Sequence, residues 1–381
     1  MWVAYILKGI AASGKYFLDI VTGRVVSIEI DEHYCSIHEI DRYAKANVNV
    51  FHALSFAFKK TITSRRLGLR NDFHVVHHML PFSIGVTFDL DFIFKSGNKK
   101  YILGPVQNPQ TFAAADESVA EAPYNKFLIR VFKRFLGYLS DLTLKNADSV
   151  VVINRQTKEM LLERGVEEQK IKVIHPGIDL DKFRYTPFNE KDSGTVEVIT
   201  VGFLIERKAV DLIIRAIGEV AKYHRNLRLR IIGDGPQMGS LKGLSDSLGL
   251  SEYITFQGHV PNYDVWEYYR KAHIYVSMSR SESWGQVYLE AMATGLPVVS
   301  AVNVGSSCII EDGEFGFLVD QGDYKMLARR LLQLIENRDL LADFGRKGRA
   351  EVERKYDWKA VIIPQYIEVY ESLTGRRQDD E

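Results

Sequence analysis

IYVSMSRSESWGQVYLEAMATGLPVVSA, Ile274 to Ala301, holds a short β-branched run, a polar loop, a helix-length apolar stretch, and a second β-branched run set off by Gly295 and Pro297. Strand, helix and strand in that order are the βαβ unit of a parallel sheet. The stretch also sets two acids, Glu282 and Glu290, on either side of an expected helix start near Gly285. At such a start the amides of Gly285, Gln286 and Val287 have no intrahelical acceptors, and the positive helix end suits a phosphate. An extended ligand crossing the helix start would touch both acids. A nucleoside diphosphate sugar has that shape, with diphosphate at the amides, ribose hydroxyls at Glu290 and the sugar toward Glu282. Taken alone, the same residues also read as a helix-entry Glu282 and a surface Glu290, because two glutamates at one spacing are a weak signal.

Outward from this stretch the pattern repeats. DSVVVIN (148–154), KVIHPG (172–177), VEVITVG (196–202), RLRIIGDG (228–235) and ITFQG (254–258) read as buried strands. VDLIIRAIGEVAKYH, GSLKGLSDSLGL, NYDVWEYYRKA and YKMLARRLLQLIEN between and after them read as helices. Alternating βα units predict a parallel sheet covered on both faces. FRYTPFNEKDSGTV (183–196) is polar, carries Pro187 and Gly194, and breaks the rhythm, so it is the expected linker. The tail GRRQDDE is expected to fray.

A length of 381 residues predicts about two domains. No apolar run approaches the roughly 18 residues of a membrane span. Two cysteines, Cys35 and Cys308, stand far apart without metal-ligand spacing, which points to a reducing, cytoplasmic setting and no zinc motif. Lys8 interrupts the apolar opening MWVAYILKGIAASG, so a first strand or helix is expected there rather than a leader. Net charge is zero but uneven: residues 1–190 hold 25 Lys and Arg against 21 Asp and Glu, the remainder 24 against 28. FKKTITSRRLGLR (58–70) and KFLIRVFKRFLGYL (126–139) carry most of the basic excess. Each reads as an amphipathic helix, either a solvated face or a peripheral contact with an anionic membrane. No nucleic-acid partner is expected.

Five segments carry a family likeness: LKNADSVVVINRQTKEMLLERGV with KIKVIHPGIDLDKF; VITVGFLIERKAVDLIIRAI; LRIIGDGP; SRSESWGQVYLEAMATGLPVVSA with EDGEFGFLV; and KYDWKAVIIPQYIEVYESL. From about His38 to Leu373 the chain resembles the retaining GT-B glycosyltransferases of family four. The resemblance implies an α/β fold of two Rossmann-like parallel-sheet domains facing a central cleft. Its expected parts are an acceptor-side domain over 1–184, a linker over 185–195, a nucleotide-sugar-binding domain over 196–357, and a C-terminal helix over 358–381 returning to the first domain. The implied co-substrate is a nucleotide diphosphate sugar, with no other cofactor.

Carried over by residue, the resemblance implies that Glu290 receives the ribose hydroxyls and Glu282 sits at the transferred sugar. Lys208 would face the diphosphate, favouring the transition state as the leaving group gains charge. Gly233 and Gly235 form the nucleotide-binding turn, and Arg207 is a candidate second cation. The likeness has gaps. Phe203 stands where relatives place an arginine, Ala209 where they place a glycine, and Cys308 where they often place a glutamate, beside Ser306 and Ser307. The glycine-rich front loop of relatives has no counterpart, since Gly9, Gly14 and Gly23 are scattered, so an abbreviated first unit is expected. His77, His78 and Asn108 are candidates on the acceptor or sugar side; His175 reads as structural. With no Asp-x-Asp cluster near the proposed diphosphate site, the reaction is expected to be metal-independent. A sugar-nucleotide epimerase of similar fold and a non-catalytic nucleotide-sugar-binding protein remain as alternatives. A dinucleotide dehydrogenase is disfavoured because no G-x-G-x-x-G follows a strand.

Overall fold

The structure is a computed structural model that describes residues 2–13, 18–22, 35–39, 62, 74–79, 82–83, 89–95, 99–107, 126–188 and 194–375. It divides into two compact units, Met1–His175 with Trp358–Glu381, and Pro176–Asp357.

The first unit opens with helix α1 (Trp2–Ala12) and a parallel pair, β1 (Leu18–Thr22) with β2 (Cys35–Glu39). Its main sheet runs β3 (Val75–His78), β5 (Lys100–Gln107), β6 (Ser149–Val152) and β7 (Ile171–Val173) in that order, all parallel, with β4 (Phe82–Ser83) also on β5. Helices α2 (Leu90–Ile93), α3 (Lys126–Asn146) and α4 (Arg155–Glu163) lie between strands. Period-two alternation decides which face each side chain takes. Tyr101, Leu103, Val150 and Val152 pack with Phe92 and Leu144, while Ile102 and Val151 pack with Ile6 and Ile10 of α1. The second of these clusters also holds Trp358 and Tyr366: after a π-helical turn at Trp358–Ile362, α12 (Ile363–Thr374) closes this unit. Pro364 falls in its first turn, where a missing N–H costs nothing.

The second unit is one six-stranded parallel sheet: β8 (Val196–Val201), β9 (Leu227–Ile232), β10 (Ile254–Gly258), β11 (Ile274–Ser277), β12 (Val298–Ala301) and β13 (Gly316–Val319). Its spatial order is β10-β9-β8-β11-β12-β13. Helices α5 (Val210–Ala221), α6 (Met238–Ser247), α7 (Val265–Lys271), α8 (Gln286–Ala293), α9 (Val304–Ile309), α10 (Tyr324–Glu336) and α11 (Arg338–Tyr356) accompany it. The apolar stripe of α5, Ile213, Ile214, Ile217 and Val220, is fully buried, as the 3.6-residue spacing predicts. Each such side chain contributes about 1.5 to 3 kcal/mol.

Residues 176–184, which the sequence grouped with the first domain, fold with the second unit. Ile178 donates its N–H to the Tyr356 carbonyl at 2.7 Å and bridges to Asp357. Phe183 is buried edge-on against Tyr269, with ring centroids 6.1 Å apart. The polarity around Pro187 marks a break in secondary structure, not the division between units. Strand β13 and helices α9 and α11 were not anticipated as separate elements.

Candidate active site

In an order that runs third, second, first, fourth, fifth, sixth, the direction of winding reverses between β8 and β11. Ligands of such sheets bind beyond the carboxyl ends of the strands at that reversal. The loops leaving β8 and β11 are those that carry Lys208 and Glu282.

From β8 the chain passes Gly202 and the exposed Phe203, makes a 3₁₀ turn at Glu206–Lys208, and enters α5 through Ala209. Ala209 is the one described non-glycine residue with positive φ, 47°. Relatives' glycine at this position suits that backbone, and the structure keeps it with alanine. The turn aims both of its cations the same way. The Lys208 ammonium pairs with the Glu282 carboxylate, and the Arg207 guanidinium lies 3.6 Å from the same oxygen. Arg207 also donates to the Ser281 carbonyl and reaches Ser279 Oγ at 3.5 Å. A backbone bond locks the two loops, Arg280 N–H to the Arg207 carbonyl at 2.9 Å, and Gly305 N–H of α9 donates to the Glu282 carbonyl at 2.9 Å. A small hollow beside Lys208 is lined by Gly202, Phe203, Thr200 and Ser277.

Gly233 and Gly235 support this loop from beneath. A Cβ on Gly233, at φ 136°, would lie 1.8 Å from the Gly202 carbonyl oxygen, so only glycine lets the ends of β8 and β9 run this close. Leu204 is held on both sides of the turn, donating to the Asp234 carbonyl and accepting from Gln237 N–H.

Helix α8 begins at Gly285, which takes a left-handed φ of 86° where a Cβ would meet the Tyr288 ring at 2.4 Å. The amides of Gln286 and Val287 have no acceptor within the helix, while Tyr288 N–H already donates to the Gly285 carbonyl at 2.9 Å. The Gln286 side chain is engaged elsewhere, donating to the Gly177 carbonyl at 2.9 Å. Glu290, in the second turn, is not a surface acid: it is 7% exposed and accepts a hydrogen bond from Tyr269 Oη at 3.0 Å. Burial pushes its pKa up to about 7, opposed by the Tyr269 hydrogen bond and the charge of Lys182. Burial holds the Tyr275 hydroxyl well above its usual pKa, and the charges of Tyr288, Glu282 and Glu290 push it the same way. Behind α8, Ser300 Oγ donates to Tyr288 Oη at 3.0 Å.

The loop after β12 grips itself. Asn303 and Ser306 form a capping box for α9, and Ser306 Oγ also donates to the Ala301 carbonyl; Ser307 and Cys308 are exposed. In the first unit, His77 accepts or donates at Nδ1 with Tyr370 Oη, 2.6 Å away, and burial with the neighbouring His78 lowers its pKa to about 3. His78 pairs with Asp89, the N-cap of α2, and His175 is 2.8 Å from the Ile153 carbonyl. All three histidines thus have structural partners. Asn108 lies outside the described residues, as does 58–70 apart from Ile62. The 126–139 segment is helical within α3, and Arg134, Phe135 and Tyr138 are exposed. Among the described residues no helix is long and apolar enough to cross a membrane.

Sequence reasoning missed Tyr269 and Lys182, the neighbours of Glu290. The pair Tyr268–Tyr269 reads as ordinary helix content, and nothing local separates the tyrosine that meets a carboxylate from the one that does not.

Comparison with known proteins gives a family and a fold. A family model described as Glycosyl transferases group 1 matches residues 181–351, and one described as Glycosyltransferase Family 4 matches 107–182. The chain is 26% identical over 247 residues to the GDP-mannose-dependent alpha-(1-6)-phosphatidylinositol monomannoside mannosyltransferase of Mycolicibacterium smegmatis, covering 61% of this chain and 64% of that protein. It is 25% identical over 262 residues to the alpha-monoglucosyldiacylglycerol synthase of Acholeplasma laidlawii, covering 66% and 65%. The chain therefore spans just under two thirds of the length of these curated relatives. The solved sucrose-phosphate synthase of Thermosynechococcus elongatus superposes with a TM-score of 0.71 at 20% identity, over 97% of this chain and 92% of that one, which shows the GT-B fold. With the two family models running unbroken from residue 107 to 351, over the same loops that bring Lys208 to Glu282, the chain belongs to the group 1 glycosyltransferases of family four.

Proposed function

We propose that the protein moves a sugar from a nucleotide diphosphate sugar to an acceptor hydroxyl, with retention of anomeric configuration. The observation that carries this reading is the convergence of Lys208 and Arg207 on Glu282 where the winding of the second sheet reverses. In the free protein the acid and the two cations offset one another. An incoming diphosphate competes for the cations, and Glu282 is released to accept from sugar hydroxyls. The glycosidic C–O bond to phosphate then breaks, the acceptor oxygen bonds to the same face, and the departing phosphate takes the acceptor proton. Lys208 and Arg207 are fixed before the reaction, so they stabilise the developing charge without reorganising. They and the α8 amides supply the positive charge, and no metal or further cofactor is required.

Glu290 serves the ribose. Hydrogen bonds to a charged group contribute about 1.5 to 3 kcal/mol each. The names of the two curated relatives carry a lipid acceptor and, in one, GDP-mannose. These names support a lipid or lipid-linked glycan acceptor here. The exposed Arg134, Phe135 and Tyr138 of α3 support a peripheral contact with an anionic membrane through 126–139, together with 58–70, on the cytoplasmic side.

A thermal-shift panel of GDP-, UDP- and ADP-sugars tests the donor class, since a ligand at a hundred times its Kd stabilises the native state by about 2.7 kcal/mol. Product analysis with and without acceptor follows. Transfer with an α-linked donor giving an α-linked product supports the proposal. An isomerised nucleotide sugar formed without acceptor favours an epimerase, and binding without turnover favours a non-catalytic role.

A further inference from the structure

We propose that Tyr269 is the positioning residue that aims the Glu290 carboxylate at the donor ribose. The proposal rests on the reading of Glu290 as the ribose-binding acid. Tyr269 sits on α7, fully buried, with its ring held edge-on by Phe183 at 6.1 Å and tilted 37° against Tyr275 at 6.0 Å. Ring and backbone are therefore fixed, and the hydroxyl points to one place, Glu290 Oε2, 3.0 Å away. A carboxylate has about four lone-pair sites, so one phenol hydrogen bond orients the group and leaves acceptor capacity for a diol.

The chemical type of the partner matters. An arginine in this slot would take both oxygens in a fork and leave none for the ribose. A phenol gives a single bond, and burial keeps its proton in place, pushing the Tyr269 pKa well above its usual value. Two other titratable or charged groups act on the acid, Tyr275 of β11 and Lys182 of the segment before β8, while Arg349 of α11 bonds to the last residue of α8. Lys182 is pinned by the Asn262 carbonyl at 2.9 Å and lies over the Phe183 ring. Arg349 is spent on the carbonyls of Phe183 and Ala293. Neither cation hydrogen-bonds Glu290, so the aim of the carboxylate falls to Tyr269.

The test is calorimetric binding of GDP, UDP and ADP, each as the ribose and the 2′,3′-dideoxyribose form, to the full chain and to Tyr269→Phe. The phenyl ring keeps its place between Phe183 and Tyr275, so the variant removes the hydroxyl and little else. Expected is a loss of about tenfold or more for the ribonucleotide and no change for the dideoxy form. The loss should be larger near pH 6 than near pH 9, because without the phenol Glu290 holds its proton to higher pH. Tyr275→Phe, which removes a buried hydroxyl one ring further on, should lose nothing ribose-specific. Tyr269→His, which keeps a ring donor, should recover part of the ribose preference. Unchanged binding by Tyr269→Phe, or an equal loss on both forms of the nucleotide, would overturn the proposal while leaving the donor reading intact. Failure of the wild-type chain to bind any of the nucleotides would instead remove the donor reading itself.

Discussion

Lys208 and Glu282 stand 74 residues apart in the chain and form an ion pair whose two side chains are only 18% and 15% exposed. Each comes from the loop after a strand, and the strands β8 and β11 are hydrogen-bonded neighbours. Removing the cation would leave a largely buried acid facing the proposed diphosphate site. Lys208→Ala is expected to lower kcat by about a hundredfold to a thousandfold, in line with the loss of one fixed group that stabilises transition-state charge. The KM for donor should rise less. Steady-state kinetics with a single donor checks this, and a kcat within threefold of wild type would argue against the assigned role.

Glu290 makes stability depend on pH with a definite sign. Its pKa rises from 4.5 in the unfolded chain to about 7 in the folded one. The folded state thus holds a proton that the unfolded state gives up, so its contribution is full below pH 4.5 and is lost as pH rises toward 7. The span corresponds to about 3 kcal/mol. Glu290→Gln should therefore be more stable than wild type at pH 8, with the advantage shrinking toward pH 5, and should bind donor poorly at every pH. Denaturant melts at the two pH values read the first part.

Gly233 and Gly313 both have positive φ, 136° and 82°, but only one is crowded. A Cβ at Gly233 meets backbone at 1.8 Å, whereas nothing lies within 4 Å of one at Gly313. Gly313→Ala should cost about 1 kcal/mol, the backbone penalty alone. Gly233→Ala should cost more than about 3 kcal/mol and displace the Lys208 loop, so it loses donor binding as well. Comparing midpoints of urea unfolding for the two variants separates the effects.

Transfer activity should survive chelation. In the proposed site the positive charge facing the diphosphate is that of Lys208, Arg207 and the start of α8, none of which EDTA would remove. Assays with and without EDTA should agree within experimental scatter, and a loss of activity restored by a divalent cation would require a different account of the leaving group.

Much of this was legible in the sequence, and the parts that were not share a cause. The β-branched runs from 148 to 301 became strands, and the apolar stripe of α5 became a buried face, because hydrophobic period reports local burial directly. The same reading set Glu282 and Glu290 on either side of the α8 start, whereas Lys208 was named only by the family resemblance. It did not anticipate β13, whose run Gly316–Val319 is short and glycine-led, and it set the end of the first domain too late. Residues 176–184 carry no pattern that tells which core they join; their bonds to Tyr356 and Arg349 decide it.

Period and propensity say that a strand is buried but not which strand lies beside it. The order that sets β8 against β11 is a property of how helices cover both faces of the sheet. Only that order brings Lys208 and Arg207 onto one carboxylate, after the sequence had left open whether two adjacent cations point the same way. Burial likewise turned Glu290 from a surface acid into a carboxylate whose proton is balanced near neutrality, and gave it Tyr269, a partner twenty-one residues upstream that no local signal marks. Sequence determined the elements and the chemistry at their ends; tertiary packing decided the neighbours and the electrostatics, because desolvation and contact depend on what surrounds a residue in space.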